Sequence, residues 1–349
     1  MADRYGRAGG NWSAAGTWSA TSGGGSDGAG INAGDAVILD ANSSGTFTID
    51  TTISIVTIVC TGFAGTLAHN NVTLTISGNT FTLAAGMTYA PSFGRIISFT
   101  STGTVLITTA GKVLGSPTFN GTGGTFQAQD AFHWNAAGTL TLTAGTLDCN
   151  NQNFTGGVFS STGAGVARTL SRGSGTWTLA ATSGTVLDCA SAAGNLTLTA
   201  ETSPLIISAA PTTDRTVQLG TSKTYSAITL AASGSTPGAV LMTANTGVTI
   251  TALTLTPPIN VRWNSTATYT ISNAVTWAGT SSSNAILLAS GTVTPTLAMN
   301  GGTAAWTGFQ GITVSGTPPT TSNSLDFKGN SGVTINAPTG GGVVGVIGS

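Results

Sequence analysis

Again and again this chain sets an apolar residue between two threonines, and that period of two limits what it can fold into. Thr46-Phe-Thr-Ile-Asp50, Val72-Thr-Leu-Thr-Ile76, Thr139-Leu-Thr-Leu-Thr143, Asn195-Leu-Thr-Leu-Thr199, Leu253-Thr-Leu-Thr256 and Tyr269-Thr-Ile-Ser272 all follow it. Successive side chains of an extended strand point to opposite faces, so each segment buries Leu, Ile or Phe on one side and shows hydroxyls on the other. β-branched residues suit that pleated surface. Helical spacing of apolar residues is broken throughout by Thr or Gly. Gly, Asn, Ser and Pro punctuate the segments every few residues, as turns require. An all-β chain is expected.

Several segments are variants of one another. Gly138-Thr-Leu-Thr-Leu-Thr-Ala-Gly-Thr-Leu-Asp-Cys149 is echoed by the run from Gly184 to Thr199, and 79–87 reads the same way. Repetition without a strict period predicts an irregular β-solenoid, a β-helix-like rod whose coils bury their apolar faces on one another. Tandem β-sandwich domains are the alternative. Residues 1–35, with Gly9-Gly10 and Gly23-Gly24-Gly25, read as a Gly-rich N-terminal arm or attachment region. Residues 36–335 read as the repetitive stranded body, with room for a break near 203–215, and 336–349 as a Gly-rich C-terminal tail. The uncharged, mildly apolar end from Gly340 to Ser349 is expected to pair with another subunit or to pack back on the body.

Composition then narrows function. Charged residues make up 6% of 349 positions, hydrophobic residues 40%, and mean hydropathy is +0.27. The chain is too apolar for disorder, yet carries roughly a quarter of the usual charge. Catalysis needs titratable groups, and a free monomer needs charge to keep its strands from sticking to neighbours. A non-enzymatic building element is expected. A net charge of −1 points to neither nucleic acid nor an anionic membrane surface. No run has the length of a membrane-spanning helix, so membrane insertion is not expected. The opening Met-Ala-Asp-Arg-Tyr-Gly-Arg leads into Gly-Gly-Asn-Trp-Ser instead of an apolar segment, which predicts no secretory signal. Cys60, Cys149 and Cys189 lack metal spacing and are expected as buried free thiols.

Candidate chemistry is sparse. Glu201 is the one glutamate, beside ten aspartates. Asp148 and Asp188 recur in matching Leu-Asp-Cys contexts and would form an acid pair of the kind that cuts polysaccharides if their strands shared a face. A strand-end Asp bonding its own turn is the favoured reading. Asp130 and His133 lie close to Trp134, but alternation sets Asp130 and His133 on opposite faces. His133 and Trp134 therefore read as a structural or glycan-contact surface, not an acid–base pair. His69, beside Asn70-Asn71, reads as a turn residue. Asp35, Asp40 and Asn42 are a weak calcium set, and Gly23-Gly24-Gly25-Ser26-Asp27 lacks the fourth glycine of a calcium roll. No metal and no cofactor is expected. Stacked Thr-x-Thr rows order water, bind ice or hydrogen-bond glycans when they recur at one coil spacing. The uneven intervals between Thr141/Thr143 and Thr197/Thr199 speak against ice binding.

The opening Gly10-Asn-Trp-Ser-Ala-Ala-Gly-Thr-Trp-Ser-Ala-Thr-Ser-Gly-Gly-Gly25, with Gly34-Asp-Ala-Val-Ile-Leu-Asp-Ala-Asn42, resembles Thr/Gly-rich, β-stranded structural proteins of tailed bacteriophages. The stretches Cys60–Leu67 and Ser160–Leu179 match their style, and the likeness covers roughly residues 9–225. It implies a virion component, namely a fibre, spike or head decoration, and brings no catalytic residues. The expected partners are copies of the chain itself, as a trimer, together with other virion proteins and host-surface glycans. Trp12 and Trp18 are the expected attachment and oligomer contacts, because a Gly-rich arm needs large anchors to stay ordered. A host-surface glycan-binding adhesin and a β-helix polysaccharide depolymerase are the alternative functions.

Overall fold

Each alternating segment becomes a strand, and parallel pairing carries it onto the matching segment of the next turn of chain. The computed structural model describes residues 2–338 apart from 92–94, 162–164, 190–194, 200–201, 209–211, 232–237, 246 and 265. Among the described residues the chain winds about 11 turns of a β-solenoid. It divides into two compact units, residues 1–177 with 194–203 and residues 178–193 with 204–349. The sequence placed room for a break near 203–215; the units part at 203/204 and also exchange chain at 177/178 and 193/194.

In the first unit one ladder joins Asp3–Gly6, Ala36–Asp40, Thr57–Thr61, Thr80–Thr82 and Thr104–Thr108, all parallel. It continues through the later halves of Ser116–Ala128 and Thr139–Asp148 to Arg168–Ser171 and Leu196–Leu198. A second ladder joins Ile53–Ile55, Thr73–Ile76, Ile96–Phe99, the earlier halves of the same two long strands, and Val158–Ser160. A third runs through Ala8–Asn11, Ser44–Ile49, Thr66–His69 and Thr88–Pro91. Inward side chains fill the space between ladders with aromatics. Phe99 and Phe119 stack at 5.2 Å, Phe132 and Phe154 at 5.0 Å, and Phe154 and Trp177 at 5.0 Å. Rings of this size dominate core energetics through buried area and favourable stacking.

Residues 1–35 do not form a separate arm. Asp3–Gly6 and Ala8–Asn11 are the first coil of the body, paired in parallel with Ala36–Asp40 and Ser44–Ile49. The chain then folds over that coil, and Trp18–Ser19 pairs antiparallel with the other side of Asp3–Gly6. This closes the edge that an exposed first strand would offer to a neighbour. Arg4 ties the cover down: its guanidinium reaches Asp27, and its Nε lies 3.1 Å from Asp35.

The second unit repeats the plan. Gly184–Asp188, Arg215–Gln218, Val240–Thr243, Ile259–Trp263, Ile286–Ser290, Thr307–Gln310 and Leu325–Asp326 form one parallel ladder. Val240, Val261, Leu288 and Phe309 line up along its inner face, each fully buried. A second ladder runs from Thr224–Ala231 through Val248–Thr256, Thr268–Ile271 and Thr296–Asn300 to Thr313–Thr317. A third joins Val275–Ala278, Gly302–Ala305 and Thr320–Ser322. No helix among the described residues is long and apolar enough to cross a membrane.

Candidate functional site

The outer surface of the first unit is organised by residues pointing away from the core. Ser54, Thr75, Ser98, Thr118, Thr141 and Ser160 stand in register on six successive strands of the second ladder. Thr104, Thr125, Thr146, Thr169 and Thr197 do the same on the first. Neighbouring strands lie about 4.8 Å apart, so each row is a ribbon of hydroxyls at that repeat. Among the described residues none of these eleven side chains hydrogen-bonds to another group of the protein. The hydroxyls are left for water or a partner. In the second unit Thr268, Thr296 and Thr313 are likewise in register, as are Thr276, Thr303 and Thr320.

These rows form despite uneven sequence intervals, while Thr141 and Thr197 themselves stand on different ladders. Strand register is set by which residues face the core, and turns of different length absorb the extra residues between coils. Turn residues with left-handed backbone do the absorbing: Asn150 and Asn151 adopt φ of 48° and 61°. Asn151 Oδ1 then accepts hydrogen bonds from the Ser174 amide at 3.0 Å and its hydroxyl at 3.1 Å on the following coil.

Two of the four residues singled out from sequence as glycan contacts or anchors lie at the N-terminal cover, and both are buried. Trp12 and Trp18 are each 0% exposed. Trp18 Nε1 donates to the Trp12 carbonyl at 3.0 Å, the two rings meet edge-on at 5.8 Å, and Trp18 packs on Phe47. They anchor the cover to the first coil, and their rings are buried away from the outer surface. Trp134 is corrected too: it is 2% exposed, its ring packs near Trp177, and its Nε1 donates to the Val158 carbonyl. Gly156 makes the room, since a Cβ there would lie 2.1 Å from Trp134 Cδ2. Phe132 and Trp134 face inward, so His133 alone faces outward, in register between Val113 and Thr155. Among the described residues no aromatic ring packs beside it, and it cannot stack a sugar with the buried Trp134.

The carboxylates serve turns. Asp130 accepts from the Thr109 amide at 2.9 Å and its hydroxyl at 3.2 Å, which occupies it away from His133. Asp148 accepts from Gln127 Nε2 at 2.8 Å and from the Asn150 amide at 2.9 Å. Asp188 stands opposite Gln218 in the second unit. Asp35 is 5% exposed. Burial opposes its ionisation, but the Asn32 amide, the Arg4 guanidinium and the Ala2 amide outweigh that and hold its carboxyl below the ordinary value. Asp40 accepts from the Asn42 amide at 2.9 Å, across its own turn. Glu201 lies outside the described residues. Among the described residues no group of three or more His, Cys, Asp or Glu side chains is placed to hold a metal ion.

No family model, no curated protein and no solved structure matches the chain.

Sequence reasoning missed several buried polar side chains, His69, Arg168, Arg172 and Arg215 among them. His69 is not in a turn: it ends the strand Thr66–His69, in register with Ile49 and Pro91, and is 0% exposed. Its Nε2 donates to the Val72 carbonyl at 3.1 Å, so Nδ1 accepts from the Tyr89 hydroxyl at 2.9 Å. Burial, with a smaller contribution from Arg95, pushes the imidazole down to about 4 against the opposing pull of the Val72 carbonyl. The signal was present in Thr66-Leu67-Ala68-His69, where His69 shares the parity of the buried Leu67. Arg215 is 0% exposed in the second unit, where its Nη1 donates to the Ser208 carbonyl at 2.6 Å and the Ala181 carbonyl at 3.3 Å. Burial lowers its guanidinium to about 10. The three cysteines form no disulfide and are buried, and burial pushes the Cys60 thiol up to about 12, which leaves it unreactive at neutral pH.

Proposed function

We propose that the chain is a structural component of a bacteriophage virion, a fibre, spike or head-decoration protein that works by assembly and surface contact. The observation that carries this reading is the pair of unpaired hydroxyl rows on a parallel β-solenoid. Backbone ladders and stacked apolar coils make a stiff body, because every coil is held by its neighbours on both sides. Rows of uncharged hydroxyls then give a surface that pairs with copies of the chain, as a trimer, or with other virion proteins, with little dependence on salt. Asp35, Asp40, Asp130 and Asp148, whose carboxylates accept from turn and loop amides, fit a chain that performs no catalysis. The resemblance of residues 9–225 to tailed-phage structural proteins points the same way.

A glycan-binding adhesin is the second reading, favoured by the same free hydroxyls, which match the hydrogen-bonding character of sugars. Mass spectrometry of purified phage particles tests the first reading: peptides from this chain at a stoichiometry comparable to known virion proteins support it. Intact particles that lack the chain sink it. Binding of purified protein to host polysaccharide, with the chain absent from particles, would favour the adhesin.

A further inference from the structure

One corner of the second unit changes its construction from coil to coil. Ala278, Ala305 and Ser322 stand in register on the third ladder, and Ile286 and Thr307 stand in register on the first. Residues 279–285 therefore fill the turn that Trp306 alone fills one coil later. Asn323 takes the same corner on the coil after that, just ahead of Leu325, which is in register with Gly308. The longer turn holds itself together. The Thr280 amide donates to the Asn284 carbonyl at 3.1 Å, the Asn284 amide to the Ser281 carbonyl at 3.1 Å, and Asn284 Nδ2 to the Thr280 hydroxyl at 2.8 Å. Loops held on a stiff scaffold are where binding residues concentrate.

Against this loop lies a groove whose lining includes Ser282, Leu287, Trp306, Gly308, Asn323 and Phe327 and carries no charged side chain. It holds about 390 Å³ of space, part of it open to solvent, which is at the small end of ligand sites and suits one ring-sized molecule. Glycines make the room: a Cβ on Gly308 would lie 2.6 Å from Phe327 Cε2, and one on Gly279 would lie 2.8 Å from Trp306 Cβ. Trp306 and Asn323 hold φ of 49° and 48°, in the left-handed region. For a bulky residue that conformation is costly, and it persists where the surroundings fix it, as at ligand clamps. Among the described residues the Trp306 indole, the Asn323 side-chain amide and the Ser282 hydroxyl hydrogen-bond to no other group of the protein.

We propose that this corner binds one neutral sugar ring of a glycan. The C–H face of a pyranose is apolar and lies well against an aromatic wall, while its hydroxyls call for donors and acceptors at the rim. Trp306 and Phe327 supply the wall. The indole N–H of Trp306 is a donor, and the Asn323 amide and Ser282 hydroxyl each donate and accept. An anionic sugar would find no countercharge in this lining. The inference deepens the glycan-binding reading and rests on it for the class of ligand, but it uses none of the hydroxyl rows of the first unit.

The test titrates the full-length protein with the methyl glycosides of glucose, galactose and N-acetylglucosamine and follows binding by saturation-transfer NMR. At least one is expected to bind saturably, and Trp306→Gly and Asn323→Gly should each weaken it by about tenfold or more. Glycine suits the left-handed backbone at both positions, so both variants are expected to keep the fold, which circular dichroism verifies. Absence of saturable binding by any of these glycosides overturns the proposal, as does binding of indole with none of the glycosides bound. Glycoside binding that survives Trp306→Gly but is lost on Thr118→Lys with Thr141→Lys overturns this site and leaves the glycan-binding reading standing.

Discussion

A neutral histidine sealed into the wall of the first unit ties stability to pH in one direction. The His69 imidazole has an ordinary value of 6.5 and sits near 4 when folded. As pH falls, the unfolded chain takes up the proton first, so folding loses ground between about 6.5 and about 4 and no further below. The stabilisation is whole above pH 6.5 and reaches about 3 kcal/mol at most, from about 1.4 kcal/mol per pH unit. Urea midpoints of the wild type are expected to fall across that window, whereas His69→Gln loses some stability at pH 7 but flattens the slope there. An unchanged slope would show that His69 titrates normally. Asp35, held below its ordinary carboxyl range by Asn32, Arg4 and Ala2, adds a second loss at lower pH. Its stabilisation is present above the ordinary carboxyl value and disappears as pH drops through the folded one. The neighbours His133 and Trp134 separate cleanly at this scale. Trp134→Ala should cost about 3–5 kcal/mol by emptying a packed site. His133→Ala, on the outer row, should stay within about 0.5 kcal/mol. Chemical denaturation of both variants distinguishes them, and equal losses would place His133 in the core as well.

Elements carry the part of the fold that the sequence shows best. Leu74 and Ile76, Phe47 and Ile49, and Leu140 and Leu142 are all buried, as their alternation with threonine requires. What alternation does not encode is how one strand stacks on the next. That depends on turn geometry spread over Asn, Gly and Ser residues whose backbone choices are close in energy. Uneven intervals therefore hid the hydroxyl rows, although Thr118 and Thr141 or Thr146 and Thr169 share register. The Gly-rich start misled for a related reason: Gly6, Gly9 and Gly10 suggest a loose arm, yet glycine is what lets the first coil pack closely. A Cβ on Gly6 would lie 2.5 Å from Leu39 Cδ2. The buried His69 and Trp134 were legible by parity alone, and were misassigned because neighbouring Asn or His residues drew the reading toward the surface. Turns and strands should consequently tolerate insertions differently. One glycine added after Gly111, a turn residue where a Cβ meets nothing within 4 Å, is expected to shift the thermal midpoint by only a few degrees. One residue added after Leu140 reverses which side chains face the core from that point on and should abolish cooperative unfolding of the first unit. Equal tolerance at both sites would contradict register control by the inward row.

At the scale of the whole chain the low charge acquires a location. Several of the charged residues hold turns and the N-terminal cover, as Arg4, Asp27, Asp35, Asp130 and Asp148 do. The flat rows between them are neutral hydroxyls. Such faces repel nothing, so they are a hazard for a free monomer and an advantage for a surface meant to be paired. Thr118→Lys with Thr141→Lys places two like charges about one strand spacing apart on the same outer row. That pair should leave the β-fold intact by circular dichroism while breaking any contact made through this face. The account rests on assembly through such faces, and the mass of the purified protein in solution tests it most directly. Light scattering from about 0.05 M to about 1 M NaCl should give a homo-oligomer whose mass does not change with salt, because screening acts on charges and the rows have none. The double lysine variant should be smaller. A wild-type chain that is monomeric throughout that range, or an oligomer that salt dissolves, would contradict it.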